Sequence, residues 1–282
     1  MLARRIPTIL PDLTFEESLE ITKIHSIAGV LSNENPLITT RPFRAPHHTA
    51  SGIALTGGGR IPKPGEMSLS HYGVLFLDEL PEFNRNTLEV MRGPLEDRNI
   101  TVSRASCTLT YPCNFMFIAS MNPCPCGYAN SAEKKCTCTP FQISKYMSKV
   151  SGPLLDRIDI HIEVSGVKYD KLNGNEIVES SKEIKKRVDE ARKKQRERYK
   201  EYGIFSNSEL TPNMIDIFCK LDSTSKEIME KAFEKLGFSA RAYGRILKVA
   251  RTIADLENSE NIEAEHITEA IQYRTLDRSK YV

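Results

Sequence analysis

The chain has 282 residues, 40% hydrophobic and 27% charged, enough apolar material for one large domain or two small ones. Its 39 Lys and Arg against 37 Asp and Glu leave a formal net charge of +2, so no global imbalance announces a nucleic-acid partner and any basic surface must be local. No apolar run follows the arginines of MLARRIPTILPDL as in a signal peptide, none approaches the ~20 residues that span a bilayer, and seven cysteines, an odd number, fit a reduced compartment better than a disulfide framework. A soluble, cytoplasmic protein with no membrane partner is the expectation.

In chain order, residues 1–10 have helical spacing without an N-cap. TFEESLEITKIHSIAG opens on Thr14 with Glu17 three residues on, a capping-box arrangement, so a helix is predicted through Leu19, Ile21, Ile24 and Ile27. From 33 to 72, Pro, Gly, Ser and His dissolve the pattern into a long loop or insertion with at most short strands. GVLFLDEL (73–80) is an apolar run stopped by acids and Pro81, and reads as a buried strand. RNTLEVMRGPLED is a helix kinked or split at Gly93–Pro94, and ITVSRASCTLTYP alternates like a hairpin. NFMFIASMN is a second buried strand, a Cys/Pro/Gly loop follows at about 123–140, and IDIHIEV (158–164) is predicted as a third strand. One long charged helix is predicted from about 175 to 200, followed by helices over PNMIDIFCKL, SKEIMEKAFEKLG, SARAYGRILKVARTIADLE and AEHITEAIQYR. The boundary is placed near 166–174, where Gly, Lys, Asp and Asn collect, giving an α/β half and an all-helical half.

A parallel strand that ends in Asp78–Glu79 places two carboxylates at the carboxyl edge of a sheet, where ligands bind in open α/β folds. In P-loop NTPases such an Asp holds the Mg²⁺ that bridges the β- and γ-phosphates, and the adjacent Glu can deprotonate the attacking water; the alternative is a strand that ends in acidic surface residues. Asn122, at the end of the neighbouring strand, has an amide able to bond that water. Arg157, between Asp156 and Asp159, either stabilises phosphoryl-transfer charge on a neighbouring subunit or pairs with its own flanking aspartates. Arg241, near the positive end of a helix, either reaches a γ-phosphate or is a solvated cation.

The loop NPCPCGYANSAEKKCTCTP carries Cys124, Cys126, Cys136 and Cys138 as two C-x-C pairs. Four thiolates can satisfy tetrahedral Zn²⁺, with free thiols as the alternative; Cys107, Cys113 and Cys219 read as core. Arg41, Arg44, Arg60 and Lys63 give the 33–72 stretch a local positive character suited to DNA phosphates, and His47–His48 a structural or DNA-facing role. KEIKKRVDEARKKQRERYK reads first as a solvated face with i,i+4 pairs such as Asp189–Lys193, and second as a DNA contact.

VLFLDE, ASMNP, LLDRID and SARAYGRIL stand in the order of an AAA+ module. RPFRAPHHTASGIALTGGGRIPKPGEMSLSHYGVLFLDELPEF resembles the magnesium-chelatase-like branch of that superfamily, in particular the ComM-type competence proteins, and the resemblance covers essentially the whole chain. It implies a P-loop AAA+ three-layer α/β/α core over 1–165 and an all-helical lid over 166–282. It makes Asp78 and Glu79 Walker B, Asn122 sensor 1, Arg157 the trans-acting arginine finger and Arg241 sensor 2. It makes about 33–72 the helix-2 insert and about 99–112 the pre-sensor-1 hairpin, both facing a DNA-carrying pore in ring-shaped relatives. It further implies ATP and Mg²⁺ as ligands, a homo-oligomer in a hexameric ring, and action on single-stranded or branched DNA, as branch migration or a helicase-like step during DNA uptake. A chelatase-type motor for metal insertion, and a non-hydrolysing DNA- or protein-binding fragment, are the alternatives.

No G-x-x-x-x-G-K-S/T occurs in the 282 residues; Gly57–Gly58–Gly59–Arg60 lacks the Lys-Ser/Thr. The resemblance places MLARRIPTILPDL on the helix after the P-loop, so the first strand and the phosphate cradle are expected upstream in a longer parent. This chain alone is therefore expected to bind ATP weakly or not at all, because the backbone N–H cradle is not among its residues. Isothermal titration with ATP and Mg²⁺ checks this, and micromolar affinity would contradict it.

Overall fold

The computed structural model describes residues 2–32, 36–103, 107–129, 134–164 and 179–274. The chain divides into two compact units, Met1–Thr8 with Asp12–Arg157, and Ile9–Pro11 with Ile158–Val282. The boundary expected at 166–174 lies outside the described residues; the division between the units falls earlier, after Arg157.

Helix α1 (Phe15–Ala28) starts where the sequence places it. The Thr14 side chain accepts from Glu17 N–H, the Glu17 carboxylate accepts from Thr14 N–H, and Gly29 at φ 77° closes the helix. The strands of this unit are β1 (Phe43–Arg44), β2 (Gly57–Gly58), β3 (Lys63–Pro64), β4 (Val74–Leu77), β5 (Asn99–Ser103), β6 (Thr108–Pro112) and β7 (Met116–Ala119). β1, β4 and β7 form a parallel sheet with β4 in the middle. Val74, Leu75 and Leu77 are fully buried, which is why β4 reads as an unbroken apolar run. Gly73 lets β1 approach: Val74 N–H donates to Pro42 O at 2.8 Å, and a Cβ on Gly73 would stand 2.1 Å from that oxygen.

The stretch from 33 to 72, expected as one insertion, is divided. Phe43–Arg44 belongs to the main sheet, and the insertion proper comes after it: α2 (Gly52–Thr56), the β2–β3 hairpin and α3 (Glu66–Leu69). Ser51 caps α2 by accepting from Ala54 N–H. The helix predicted over 85–97 breaks at Gly93–Pro94 into α4 (Arg85–Glu89) and α5 (Pro94–Asp97), and β5 pairs antiparallel with β6 as the alternation predicts. The buried Tyr111 hydroxyl of β6 donates to Pro62 O at 2.8 Å and fastens this hairpin to the β2–β3 hairpin. α6 (Pro140–Met147) and α7 (Gly152–Leu155) complete the unit.

The third strand expected over 158–164 is not formed. A strand needs a ladder of hydrogen bonds to a neighbouring strand, and among the described residues the segment pairs with no strand. Ile160, Ile162 and Val164 are 48%, 65% and 65% exposed, and His161 N–H donates to Tyr273 O in the helical unit.

That unit holds α8 (Ser181–Arg198), α9 (Pro212–Phe218), α10 (Ser223–Leu236), α11 (Ala240–Leu256) and α12 (Ala264–Gln272). Ile246, Leu247, Ala250 and Ile253 of α11, at helical spacing, form one core with Tyr199, Met214, Met229 and Ile267. Asp255 of α11 is fully buried; it accepts from Arg198 at 2.5 Å, Asn207 at 2.9 Å and Arg251 at 3.1 Å. Burial opposes its ionised form, but the bonds from Arg198 and Asn207 outweigh it and hold the carboxyl below the usual carboxylate range.

Candidate functional site

β4 ends at Leu77, and the next two residues, Asp78 and Glu79, are exposed at the carboxyl edge of the sheet. The parallel pairing runs on past the strand ends: Ser120 N–H donates to Leu77 O at 3.0 Å and Leu80 N–H to Ser120 O at 2.9 Å. The Ser120 hydroxyl hydrogen-bonds Asp78 Oδ1, and Glu79 N–H donates to the same oxygen at 3.1 Å. Glu79 takes a left-handed backbone, φ 53° and ψ 52°, which costs about 1–3 kcal/mol for a residue with a side chain. Its carboxylate lies 3.6 Å from His48 Nδ1, and the His48 ring stands edge-on to Phe83. Two carboxylates and a hydroxyl at one edge are the hard oxygen donors that a magnesium ion takes, so these residues fit that ion.

Asn122, three residues beyond β7, is exposed, and its carboxamide lies over Gly127, where a Cβ would stand 4.0 Å from Asn122 Cγ. The buried Tyr146 of α6 sits against the Asn122 backbone. Burial pushes the Tyr146 phenol up, the Asn122 backbone pulls it down, and Glu82, Glu79 and Cys124 add to the rise. Asp78, Glu79 and Asn122 therefore share the carboxyl ends of two adjacent strands. Arg157 is gripped elsewhere in the unit: it donates to Arg92 O at 2.9 Å, Pro153 O at 2.7 Å and Glu96 Oε2 at 2.8 Å, with its side chain 6% exposed. Asp159, one of its flanking acids, pairs with Arg245 at 2.5 Å. Arg241 is exposed in the first turn of α11, after the Ser239 cap.

Sequence reasoning missed three partners of this edge. His48, expected in a structural or DNA-facing role, meets Glu79, and Ser120 and Tyr146 join the edge without a motif of their own. The serine was legible in part, since it stands two residues before Asn122 in ASMNP. The two others come from distant segments and carry no local signal. The basic stretch needs a correction as well. Arg41 donates to Tyr72 O at 2.6 Å and pairs with Glu17 at 3.3 Å, and Arg44 makes a two-pronged pair with Glu66 at 2.6 and 2.7 Å. Both are engaged inside the unit; of the four expected to face phosphates, Arg60 and Lys63 are the exposed ones, flanking Ile61 at 77% exposure.

The loop after Asn122 brings its four cysteines together. Sγ separations are 3.3 Å for Cys124–Cys126, 3.7 Å for Cys124–Cys136 and 3.6 Å for Cys126–Cys136, and all four sulfurs, Cys138 included, lie within 4.8 Å of one another. Backbone N–H groups at Thr137 and Tyr128 hold the Cys126 thiol down at about 5. At Cys138 the Cys126 backbone pulls the same way, but burial and the Cys126 and Cys124 sulfurs push its thiol up to about 12.

A parallel sheet with Asp-Glu at its carboxyl edge, followed by an all-helical unit, is the arrangement of an AAA+ protein, an α/β core with a helical lid. The model described as "Magnesium chelatase, subunit ChlI" matches residues 1–172, and "Magnesium chelatase, subunit ChlI C-terminal" matches residues 178–274. The chain belongs to this magnesium chelatase ChlI family. It is 44% identical over 279 residues to "Uncharacterized protein YifB" of Escherichia coli, which covers 99% of this chain and 54% of that protein. It is 43% identical over 281 residues to "Competence protein ComM" of Haemophilus influenzae, with 99% and 53% covered. "Magnesium-chelatase subunit ChlI-2, chloroplastic" of Arabidopsis thaliana is 23% identical over 216 residues, 76% of this chain and 45% of that protein. The chain thus spans about half the length of the curated relatives it matches. Among the described residues no helix is long and apolar enough to cross a membrane.

Proposed function

We propose that the chain is the hydrolytic edge and lid of an ATP-driven, ring-forming cytoplasmic motor that acts on branched or single-stranded DNA, with ATP and Mg²⁺ as its ligands and zinc in the four-cysteine loop. The observation that carries the reading is the joined strand end, where Asp78, bonded to Ser120, lies beside Glu79, with Asn122 three residues beyond the adjacent strand. Asp78 would hold Mg²⁺, which supplies neutralising charge at the β- and γ-phosphates. Glu79 takes the proton of the attacking water, and Asn122 orients that water through its amide. Arg157 serves a neighbouring subunit after exchanging Glu96 for phosphate oxygens. Arg241 reports nucleotide to the lid.

Support for DNA as the substrate comes from the exposed Arg60–Ile61–Lys63 turn and from the name of the competence relative, 43% identical. The test is ATPase assay of the full-length protein with and without four-way-junction DNA. Turnover stimulated by the junction, with junction unwinding, is the expected result. Turnover that DNA leaves unchanged would favour a chelatase-type motor, and no turnover a binding module.

A further inference from the structure

The four-cysteine loop begins two residues after Asn122 and ends one residue before the Thr139 cap of α6. Cys124 is fully buried, and Cys126, Cys136 and Cys138 are half-buried. The zinc–thiolate bond of about 2.3 Å sets the edge of a ZnS₄ tetrahedron at about 3.8 Å. The sulfurs of Cys124, Cys126 and Cys136 stand 3.3, 3.6 and 3.7 Å apart and that of Cys138 lies within 4.8 Å of them, so the cage is near that size and soft enough in its ligands to select zinc over magnesium.

Two contacts run from this cage to the catalytic edge. Gly127 N–H donates to Cys124 O at 3.0 Å, which folds Gly127 back under the Asn122 carboxamide. Tyr146 of α6, the helix that Cys138 leads into, lies against the Asn122 backbone. The chain thus approaches Asn122 from both sides, once through Cys124 and Gly127 and once through Cys138 and α6. The sulfur cluster ties these two approaches across the loop, and the exposed Lys134–Tyr128 contact, with Nζ 3.5 Å from the phenol oxygen, is the weaker tie beside it.

We infer that a zinc ion held by Cys124, Cys126, Cys136 and Cys138 is the positioning element for Asn122, clamping the end of β7 to the start of α6 so that the Asn122 amide is fixed over the Glu79 edge. This rests on the zinc assignment and on the role proposed for Asn122. Metal content governs hydrolysis here without touching the phosphates: the cage with zinc presents Asn122, and the cage without it lets the strand end fray.

The experiment uses the chain purified without chelator. Metal analysis is expected to give one zinc per chain in the wild type and in Cys107→Ser, whose thiol is exposed and outside the cluster, and a loss of zinc in Cys126→Ser. Cobalt(II) exchanged into the wild type should show thiolate charge-transfer absorption. Amide hydrogen exchange is then compared before and after chelation of the wild type, which avoids any folding defect of the variant. The Ser120 and Leu80 amides are expected to exchange about tenfold faster or more without zinc, with the Asn122 side-chain NH₂ resonance displaced, while amides of the helical unit are unmoved. Absence of zinc overturns the metal assignment. Stoichiometric zinc with unchanged Ser120 and Leu80 exchange overturns the positioning role alone. In the full-length protein, zinc removal followed by dialysis of the chelator and assay in excess Mg²⁺ should lower kcat with KM for ATP held, and added zinc should restore it; an unchanged kcat overturns the coupling while leaving the ATPase reading intact.

Discussion

In the full-length protein, Glu79→Gln is expected to lower ATP turnover by about 10²–10⁴-fold, the usual share of a general base, while ATP still binds. The substitution keeps the size of the side chain and its ability to meet His48, and removes only the proton acceptor. The left-handed backbone at φ 53° is unchanged by it, so the geometry of the turn survives and the loss is chemical. Single-turnover hydrolysis beside equilibrium binding of a nucleotide separates the two effects. Retained turnover would take Glu79 out of its role. The companion Asp78→Asn should act differently, raising the magnesium concentration needed for activity, because it removes a charge from the metal side of the same turn.

The largest effect on stability is expected at Asp255→Ala, about 3–5 kcal/mol, read as a fall in the urea midpoint of the helical unit by far-UV circular dichroism. Asp255 is fully buried, and Arg251, whose side chain is 4% exposed, shares it with Arg198. Its removal leaves the buried guanidinium without a counter-charge and strips Asn207 of one acceptor, while Asn207 still holds the Tyr199 hydroxyl. The pH dependence follows from the same site. The folded-state carboxyl is held below its unfolded value of about 3.9, so its contribution is complete above that pH and is lost as pH falls through the folded value. Wild-type protein should therefore lose stability on acidification below pH about 4, and Asp255→Asn should lack this component of the loss.

Much of this architecture is legible in the sequence because the relevant signals are local. The capping box at Thr14, the break at Gly93–Pro94 and the apolar runs of β4 and β7 each declare themselves within ten residues, but the burial expected of β7 is not found: Met116 is exposed and Phe117, Ile118 and Ala119 are half-buried. The two C-x-C pairs announced a cluster, since one intervening residue leaves two thiols close and the loop had only to close once. What escaped is short or distant. β1 is two residues long between prolines, and α2 and α3 have five and four residues, too few to show a period. IDIHIEV alternates correctly for a strand, but alternation gives only the faces; the backbone partner must come from elsewhere, and here the segment leans on Tyr273 of the helical unit. The ion pairs of Arg41 and Arg44 were equally invisible. A basic residue's surroundings, not its charge, decide whether it is left for a phosphate, and Glu17 and Glu66 lie 24 and 22 residues away.

The bond from the Tyr111 hydroxyl to Pro62 O has a mechanical meaning. The β2–β3 hairpin leads through α3 into β4, whose end carries Asp78 and Glu79, and the β5–β6 hairpin leads directly into β7, whose end carries Asn122. Each projection is thus rooted on one of the strands that frame the candidate site, and the turn of the first, at Pro62, is held to the base of the second, where Tyr111 pairs with Ile100. Arg60 and Ile61 stand in the turn that ends at Pro62, so the exposed residues of the first hairpin are held, through one hydrogen bond, to the strand that leads into β7.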